Sequence, residues 1–147
     1  MDDLINVILE KIATAPDKNS MPVLTVERSD LYNICRVLKD NNKLKFDYLM
    51  CISGVDYKEY FEVVYQLHSI SLDHKIAVKV KVDRLNPEVD SVTSIWKSAN
   101  WHEREAFDLL GIRFNNHPDL RRILLPEEWG EVYPLRKDYE HKPDQYD

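Results

Sequence analysis

Apolar residues recur at helical spacing in two stretches near the N-terminus. The first stretch predicts an amphipathic helix over residues 3–14, with an apolar set of Leu4, Ile5, Ile8, Leu9 and Ile12. A polar break then precedes a short predicted strand from Met21 to Glu27. The second stretch predicts a helix that Ser29 caps and that ends near Asn41, with an apolar set of Leu31, Ile34, Cys35 and Leu38.

Three strands are predicted next. The segments from Phe46 to Val55 and from Tyr60 to Ile70 are rich in β-branched and aromatic residues, which favour strands. From Lys75 to Val82, valine and isoleucine alternate with lysine and alanine, which predicts one buried and one solvated face. Because the connections are short enough for hairpins, we expect a mainly antiparallel sheet.

The last third of the chain predicts two more helices and then irregular structure. One helix is expected from Ser91 to about Ala99. Asn100 is the expected cap of the other, with Glu103 as the second member of a capping box and Gly111 just after the last turn. Beyond Arg113 we expect an extended tail.

These elements predict an α+β fold with two N-terminal helices, a mainly antiparallel sheet, two further helices and an extended irregular C-terminal tail. The length of 147 residues fits a single domain with one core. Within this domain we distinguish two parts. Residues 1–100 form an α+β core module, and residues 101–147 comprise a charged helix and a partner-docking tail. We hypothesise that residues 1–100 fold alone and that the tail becomes ordered on the partner.

Charge and composition narrow the class of protein. The net charge of −6 argues against a generic nucleic-acid binder, yet five of the eight arginines lie between residues 104 and 136. No apolar run approaches the roughly 20 residues of a membrane span. The acidic Asp2 and Asp3 do not fit the start of a signal peptide. Cys35 and Cys51 are expected to be reduced thiols. An iron–sulfur cluster usually needs about four cysteines, so we expect none to be held by this chain alone.

The residue types offer little for catalysis or metal binding. With only three glycines and no hydrolase or metalloprotease motif, the sequence contains no phosphate loop and no familiar active site. His102 with Glu105, or His117 with Asp119, has the composition of an acid–base pair, but a structural use is favoured. The histidines are scattered without ligand spacing, so no metal site is expected.

Glu103 falls inside an apolar stripe on a helical wheel, among Trp96, Ala99, Ala106, Phe107 and Leu110. A carboxylate in that place must be capped, paired or neutral. Two interpretations stay open: the capping box, or a buried ion pair with Arg121 or Arg122. Arg104 and Asp108, four residues apart, are expected to form a surface ion pair.

Arg121 and Arg122 are adjacent, so one can pair inside the subunit and the other across an interface. The apolar residues that follow either form a contact patch or cover the domain's own sheet, and both can hold together. These residues are Ile123, Leu124, Leu125 and Trp129.

Three blocks resemble the signature of the 30-kDa subunit of respiratory complex I, known as the C subunit in bacterial NADH:quinone oxidoreductase and as the J subunit in the photosynthetic NDH complex. They are Glu103 to Phe114 (E-R-E-x-x-D-L-x-G-I-x-F), His117 to Leu124 (H-P-D-L-R-R-I-L) and Pro134 to Tyr139 (P-L-R-K-D-Y). Residues 1–85 agree with the family only in the order of elements. Asn116 stands where the family usually has glycine, and because asparagine tolerates left-handed backbone geometry the turn is expected to survive.

The resemblance implies a peripheral-arm subunit that reaches the membrane through its complex, on the cytoplasmic side or its matrix or stromal equivalent. It implies packing against the 49-kDa or D-type large subunit, which carries the quinone site, and against iron–sulfur subunits. The chain itself is expected to hold no cofactor, metal or catalytic residue, although the complex uses iron–sulfur clusters and quinone. Its role would be to scaffold the large subunit of an NAD(P)H- or ferredoxin-linked quinone reductase for electron transfer coupled to ion translocation.

The alternative is the equivalent subunit of an energy-converting membrane-bound [NiFe] hydrogenase or of an F420H2 dehydrogenase complex. The electron donor is not encoded in this chain. In either case the resemblance places the partner interface on the signature residues Glu103, Arg104, Glu105, Asp108, His117, Pro118, Asp119, Arg121, Arg122, Pro134, Arg136, Lys137 and Asp138.

Overall fold

A four-stranded sheet lies at the centre of the fold in the computed structural model, which describes residues 2–17, 20–121, 133 and 135–137. Its spatial order is β1-β4-β3-β2, formed by β1 (Val23–Val26), β2 (Tyr48–Asp56), β3 (Tyr60–Ser69) and β4 (His74–Asp83). The β2–β3 and β3–β4 hairpins are antiparallel, which confirms the α+β class and the mainly antiparallel sheet. The edge strand β1 runs parallel to β4, which the local pattern did not predict.

Alternation along the strands gives the sheet one buried face and one open face. The predicted alternation of β4 is confirmed, except that Ala77 on the open face is also buried. The buried face carries side chains that are at most 1% exposed, among them Phe61, Val63, Tyr65, Leu67, Ile76, Val78, Val80 and Val82. Apolar residues from the helices join them in one core.

The two N-terminal helices are confirmed as α1 (Asp2–Ala13) and α2 (Leu31–Asp40). α2 buries Leu31, Ile34, Cys35 and Leu38, the apolar set that the sequence predicted. The predicted cap was wrong, because a short 3-10 helix (Arg28–Asp30) precedes α2. Asp30 takes the N-cap position and makes no capping hydrogen bond through its side chain.

The helix predicted from Ser91 to about Ala99 was wrong. Val92, Ile95 and Trp96 are buried, so the apolar spacing is real, but the backbone completes only one turn. In a helix, the Ile95 carbonyl would accept a hydrogen bond from the Ala99 amide. Here it accepts one from Lys39 Nζ at 2.5 Å instead. The Ala99 amide donates to the Trp96 carbonyl, and the Trp96 indole donates to the Phe46 carbonyl at 2.9 Å. Hydrogen bonds to distant parts of the chain therefore replace the backbone hydrogen bonds that a helix would form here.

The third helix, α3 (Ala99–Leu110), packs against β2. Gly54 permits this contact, because a Cβ at that position would lie 2.5 Å from Leu110 Cδ1. A two-stranded parallel sheet, β5 (Glu88–Asp90) with β6 (Arg113–Asn115), flanks the helix in sequence. The proposed boundary between residues 100 and 101 falls inside α3, and Ala106, Leu110, Ile112 and Phe114 belong to the common core.

Candidate partner-docking site

Glu103 lies in the buried face of α3, as the helical wheel predicted, and is 0% exposed. Its carboxylate accepts the Ser91 hydroxyl at 3.0 Å and the Val92 amide at 3.3 Å. Burial raises the pKa of Glu103 to about 7, although these two hydrogen bonds act in the opposite direction. The carboxylate therefore fastens the Ser91–Val92 turn to α3 from inside the core.

Neither sequence interpretation of Glu103 describes these contacts. The capping box was wrong, because α3 begins at Ala99 and its N-cap Ser98 makes no capping hydrogen bond through its side chain. Among the described residues no cation pairs with Glu103, and Arg121 instead pairs with Asp119 at 3.0 Å on the surface. Arg122, the other proposed partner, lies outside the described residues.

Two further signature residues on α3 take different places. Asp108 is 0% exposed, so the expected surface pair with Arg104 was wrong. Arg104 is half-buried, its guanidinium lies 5.9 Å from the ring centroid of Trp101, and its Nε donates to the Arg121 carbonyl at 3.4 Å. α3 thus holds the acidic signature residues Glu103 and Asp108 inside the fold and the basic Arg104 at its surface.

The loop after β6 is organised by His117. The Asp119 amide donates to His117 Nδ1 at 2.9 Å, which leaves Nε2 to donate to the Asn100 carbonyl at 3.1 Å. Both ring nitrogens therefore serve structural bonds, as the favoured interpretation expected. Asn116 has a φ of 68°, so the left-handed turn that the sequence predicted for it is confirmed.

An exposed surface surrounds the N-terminal half of α3, which we call the signature surface: Trp101, Arg104, Pro118, Asp119 and Arg121. Trp101 is 54% exposed, an unusual position for the largest apolar side chain. The side chains of Arg121 and Asp119 are 66% and 53% exposed, so their ion pair adds little to stability. An aromatic residue beside arginines is the composition typical of protein interfaces.

Residues 135–137 of the C-terminal signature block lie against the opposite end of α3. The Leu135 amide donates to the Leu109 carbonyl at 3.1 Å, and Arg136 Nε donates to the Leu110 carbonyl at 2.7 Å. The Arg136 guanidinium lies 4.5 Å from the ring centroid of Tyr133 and 5.2 Å from that of Phe61. The block therefore satisfies carbonyl groups that the end of a helix leaves without partners.

Asp56 anchors the same block at the end of β2, a role that no sequence motif indicated. Its carboxylate accepts the Lys137 amide at 2.6 Å, the Lys58 amide at 2.7 Å and a short hydrogen bond from Arg84. Burial alone would raise the pKa of Asp56, but the bonds from Arg84 and the two amides outweigh it and lower the pKa to about 2. The hairpin register brings Asp56 near Arg84, and the return of residues 135–137 to α3 brings Lys137 to Asp56; no local pattern reveals either contact.

The remaining signature residues lie partly on α3, partly on the loop after β6 and partly outside the described residues. Glu105 is half-buried on α3, and Pro118 is exposed. Arg122, Pro134, Asp138 and the apolar residues Ile123, Leu124, Leu125 and Trp129 lie outside the described residues. Within the described ranges no group of three metal-ligating side chains occurs. No helix in the described part of the chain has the length and apolarity to cross a membrane.

We expect Gly111→Ala to lower the free energy of unfolding by about 1–2 kcal/mol. Gly111 ends α3 with a φ of 77°, and a Cβ there would lie 2.6 Å from Arg136 Nη2 and from Tyr133 Cε2. Urea denaturation of the purified chain measures the loss. Asn116→Gly, at a residue whose φ is also positive, is the control and should not destabilise. Equal stabilities of Gly111→Ala and the unaltered chain would contradict this account of the turn.

The family model of the 30-kDa subunit of respiratory-chain NADH dehydrogenase matches residues 24–145 of this chain. The chain is 46% identical over 142 residues to the C subunit of NADH-quinone oxidoreductase from Chlorobium phaeobacteroides, a match that covers 91% of this chain and 85% of that protein. The same subunit from Chloroherpeton thalassium is 46% identical over 140 residues, covering 90% of this chain and 58% of the relative. The C subunit of F420H2 dehydrogenase from Methanosarcina mazei is 41% identical over 120 residues, covering 80% and 75%.

Two solved structures are similar to the chain. The trypsin-resistant fragment (1–134) of Nqo5 aligns with a TM-score of 0.63 and 32% identity, over 80% of this chain and 98% of the fragment. A chain of the membrane-bound sulfane sulfur reductase, an archaeal respiratory membrane complex, aligns with a TM-score of 0.73 and 26% identity. That alignment covers 95% of this chain and 85% of the other.

Proposed function

Because the chain belongs to the family of the 30-kDa subunit of respiratory-chain NADH dehydrogenase, we propose that it is a structural subunit of a membrane-associated, quinone-linked oxidoreductase. In this role it binds no cofactor or metal. It lies in the peripheral arm, on the cytoplasmic side of the membrane or its equivalent. It scaffolds the 49-kDa or D-type large subunit and neighbouring iron–sulfur subunits for electron transfer coupled to ion translocation.

The observation that carries this proposal is the division of the signature residues between core and surface. Glu103 and Asp108 are buried, whereas Asp119 and Arg121 are exposed beside Trp101. Glu103 fastens the Ser91–Val92 turn to α3, and the exposed group has the residue types that anchor protein interfaces. The His117–Asp119 pair considered for catalysis gains no support, since both ring nitrogens of His117 are bound to backbone partners.

A second candidate function is the same structural role in a complex with a different electron donor or electron acceptor. The F420H2 dehydrogenase relative from Methanosarcina and the archaeal sulfane sulfur reductase chain support it. The energy-converting [NiFe] hydrogenase alternative belongs to the same group. The quinone-linked role is favoured because the NADH-quinone oxidoreductase relative has the higher identity and the broader coverage.

The test is affinity purification of the tagged chain from its native membrane in mild detergent, with the co-purifying subunits identified by mass. A large subunit together with iron–sulfur and membrane subunits is the expected result. A large subunit with paired nickel-binding CxxC motifs would instead support the hydrogenase alternative. Recovery of the chain alone from the soluble fraction would overturn the proposal and reopen an enzymatic role.

We expect Arg121→Ala to reduce co-purification of the large subunit while lowering the melting temperature of the isolated chain by no more than about 4 °C. The side chain is 66% exposed and its one ion pair is with exposed Asp119, so its loss costs the isolated chain about 0–1 kcal/mol. Truncation of an arginine that is a hot spot of an interface costs about 2 kcal/mol or more in binding. The yield of co-purified subunits, normalised to the tagged chain, is the measurement.

Arg36→Ala on the exposed face of α2 is the matched control for this substitution. It removes the same charge at a distance from the signature surface, and the co-purified yield should stay at the level of the unaltered chain. If Arg121→Ala retained the full yield, or if it lowered the melting temperature of the isolated chain by more than about 4 °C, the assignment of Arg121 to the interface would be wrong.

A further inference from the structure

β2 is the edge strand of the sheet, and among the described strands only β3 pairs with it. The Tyr57 amide donates to the Tyr60 carbonyl at 2.9 Å just beyond the strand, which marks that pair as hydrogen-bonded. Bonded and non-bonded pairs alternate in an antiparallel ladder. Counting back from Tyr57 along the register, the amide and carbonyl groups of Ile52 and Gly54 point away from β3, out of the sheet.

Within the described part of the chain, this edge has little of the usual protection against a further strand. Natural edge strands carry charged residues or proline, or are very short. β2 has nine residues and no charged residue or proline before its last residue, Asp56. Its irregularity is a bulge between Leu49 and Cys51, near one end. The part that runs from Cys51 to Val55 remains regular and able to accept a partner strand.

A groove of about 190 Å³ lies beside the same edge, between β2 and α3. Six of its eight lining residues are nonpolar, namely Ile52, Gly54, Ala106, Leu109, Leu110 and Leu135, and Ser53 and Glu105 are the polar ones. Leu135 is 57% exposed although its backbone is held by the Leu109 carbonyl. An exposed leucine on a fixed backbone, beside nonpolar groove residues, is typical of an interaction site.

Glu105 supplies a charge at the same groove. It is half-buried, and within the described residues its carboxylate has no ion-pair or hydrogen-bond partner. Partial burial weakens solvation of the carboxylate, so a cation placed next to it gains more than at a fully exposed site. The groove is therefore complementary to a segment that carries both an apolar side chain and a basic one.

We propose that the β2 edge and this groove receive an extended segment of a neighbouring subunit, which adds to the sheet as a further strand. Main-chain hydrogen bonds to Ile52 and Gly54 hold the segment. One apolar side chain enters the groove against Leu109 and Leu135, and a lysine or arginine lies beside Glu105. Strand addition combined with a side-chain pocket is an established mode of peptide recognition. The proposal rests on the proposed function only in requiring a neighbouring subunit.

Other occupants fit these features less well. An amphipathic helix fills an apolar groove but has no free backbone groups for the edge amides. An anionic membrane would be repelled by Glu105. The segment also differs from whatever meets the signature surface, because Glu105, Leu109 and Leu135 line a groove near the C-terminal end of α3, whereas Trp101 and Arg104 mark its N-terminal half.

Hydrogen exchange at single-residue resolution tests the proposal on the purified complex and on the isolated full chain. We expect the Ile52 and Gly54 amides to exchange roughly tenfold or more slowly in the complex. Amides of β1, the opposite edge of the sheet, are the internal control and should exchange at similar rates in both samples. Slow exchange at Ile52 and Gly54 in both samples would assign the edge to the chain's own tail, and fast exchange in both would leave the edge open; each overturns the proposal.

Substitution of Glu105 supplies the second measurement. In the complex, Glu105→Lys should reduce the protection of Ile52 and Gly54 roughly tenfold, because it opposes a basic residue, while Glu105→Gln should reduce it less. If the protection of Ile52 and Gly54 were unchanged in Glu105→Lys, the incoming segment would carry no basic residue beside Glu105, and that part of the proposal would be wrong. Absence of any complex would overturn the proposed function, and the strand addition with it. A recovered complex with an unprotected edge would overturn the strand addition alone.

Discussion

Replacement of Asp56 by alanine is expected to lower the free energy of unfolding of the isolated chain by about 3–5 kcal/mol. The Asp56 side chain is 2% exposed and that of Arg84 is 17% exposed, so alanine removes a buried carboxylate that accepts a hydrogen bond from a largely buried guanidinium. The substitution also removes the acceptor of the Lys58 and Lys137 amides, each of which now donates to Asp56. Loss of one partner from a buried pair costs more than the pair itself contributes.

Urea denaturation measures this loss, and limited trypsin digestion locates it. Because the Lys137 amide is bound to Asp56, its release should expose the bonds after Arg136 and Lys137, which mass analysis of the fragments identifies. Asp83→Asn is the control, since Asp83 is exposed and accepts only the nearby Leu85 amide. It should cost about 0.5 kcal/mol or less. A loss in Asp56→Ala no larger than in the control would contradict the anchoring role.

Acid should reproduce part of the same effect. The pKa of Asp56 is lowered from 3.8 to about 2, so the folded state holds the charged form more strongly than the unfolded state does. Its contribution is complete above about pH 4 and disappears as the pH falls through about 2. The stability difference between the unaltered chain and Asp56→Ala should therefore narrow over that interval, while Asp83→Asn should not show this change.

The strands and the first two helices were predictable because their signals are local. The alternation in β4 and the helical spacing in α2 need no knowledge of the rest of the chain. The same local signal failed at Ser91 to Ala99, where Val92, Ile95 and Trp96 have helical spacing but tertiary hydrogen bonds stop the helix. The apolar spacing correctly identified which side chains point into the core, but it did not determine the backbone conformation of the segment that carries them.

The site was predictable in its residues and only partly in its contacts. The wheel placed Glu103 inside the core, yet its partners Ser91 and Val92 lie in a turn that the sequence presented as a helix. Asp56 and Lys137 are 81 residues apart, and their contact depends on the return of residues 135–137 to the end of α3. The open edge of β2 likewise follows from the parallel pairing of β1 with β4, which leaves β2 at the other end of the sheet.

Glu103→Gln is expected to change how stability depends on pH. The pKa of Glu103 is raised from 4.5 to about 7, chiefly by burial, so the folded state retains a proton that the unfolded state has already released. Stability from this group is therefore complete below about pH 4.5 and is lost as the pH rises to about 7. At about 1.4 kcal/mol per pKa unit, the loss is about 3 kcal/mol.

Glutamine cannot ionise, so the variant should not lose this contribution. Relative to the unaltered chain, Glu103→Gln should gain about 3 kcal/mol between pH 4.5 and pH 8, measured by urea denaturation at several pH values. Glu10→Gln, which removes one charge from the exposed side of α1, controls for net charge. The sign of the difference is decisive. If Glu103 were paired with an arginine, glutamine would leave that cation unpaired and would destabilise the chain most at high pH, the reverse of the expected result.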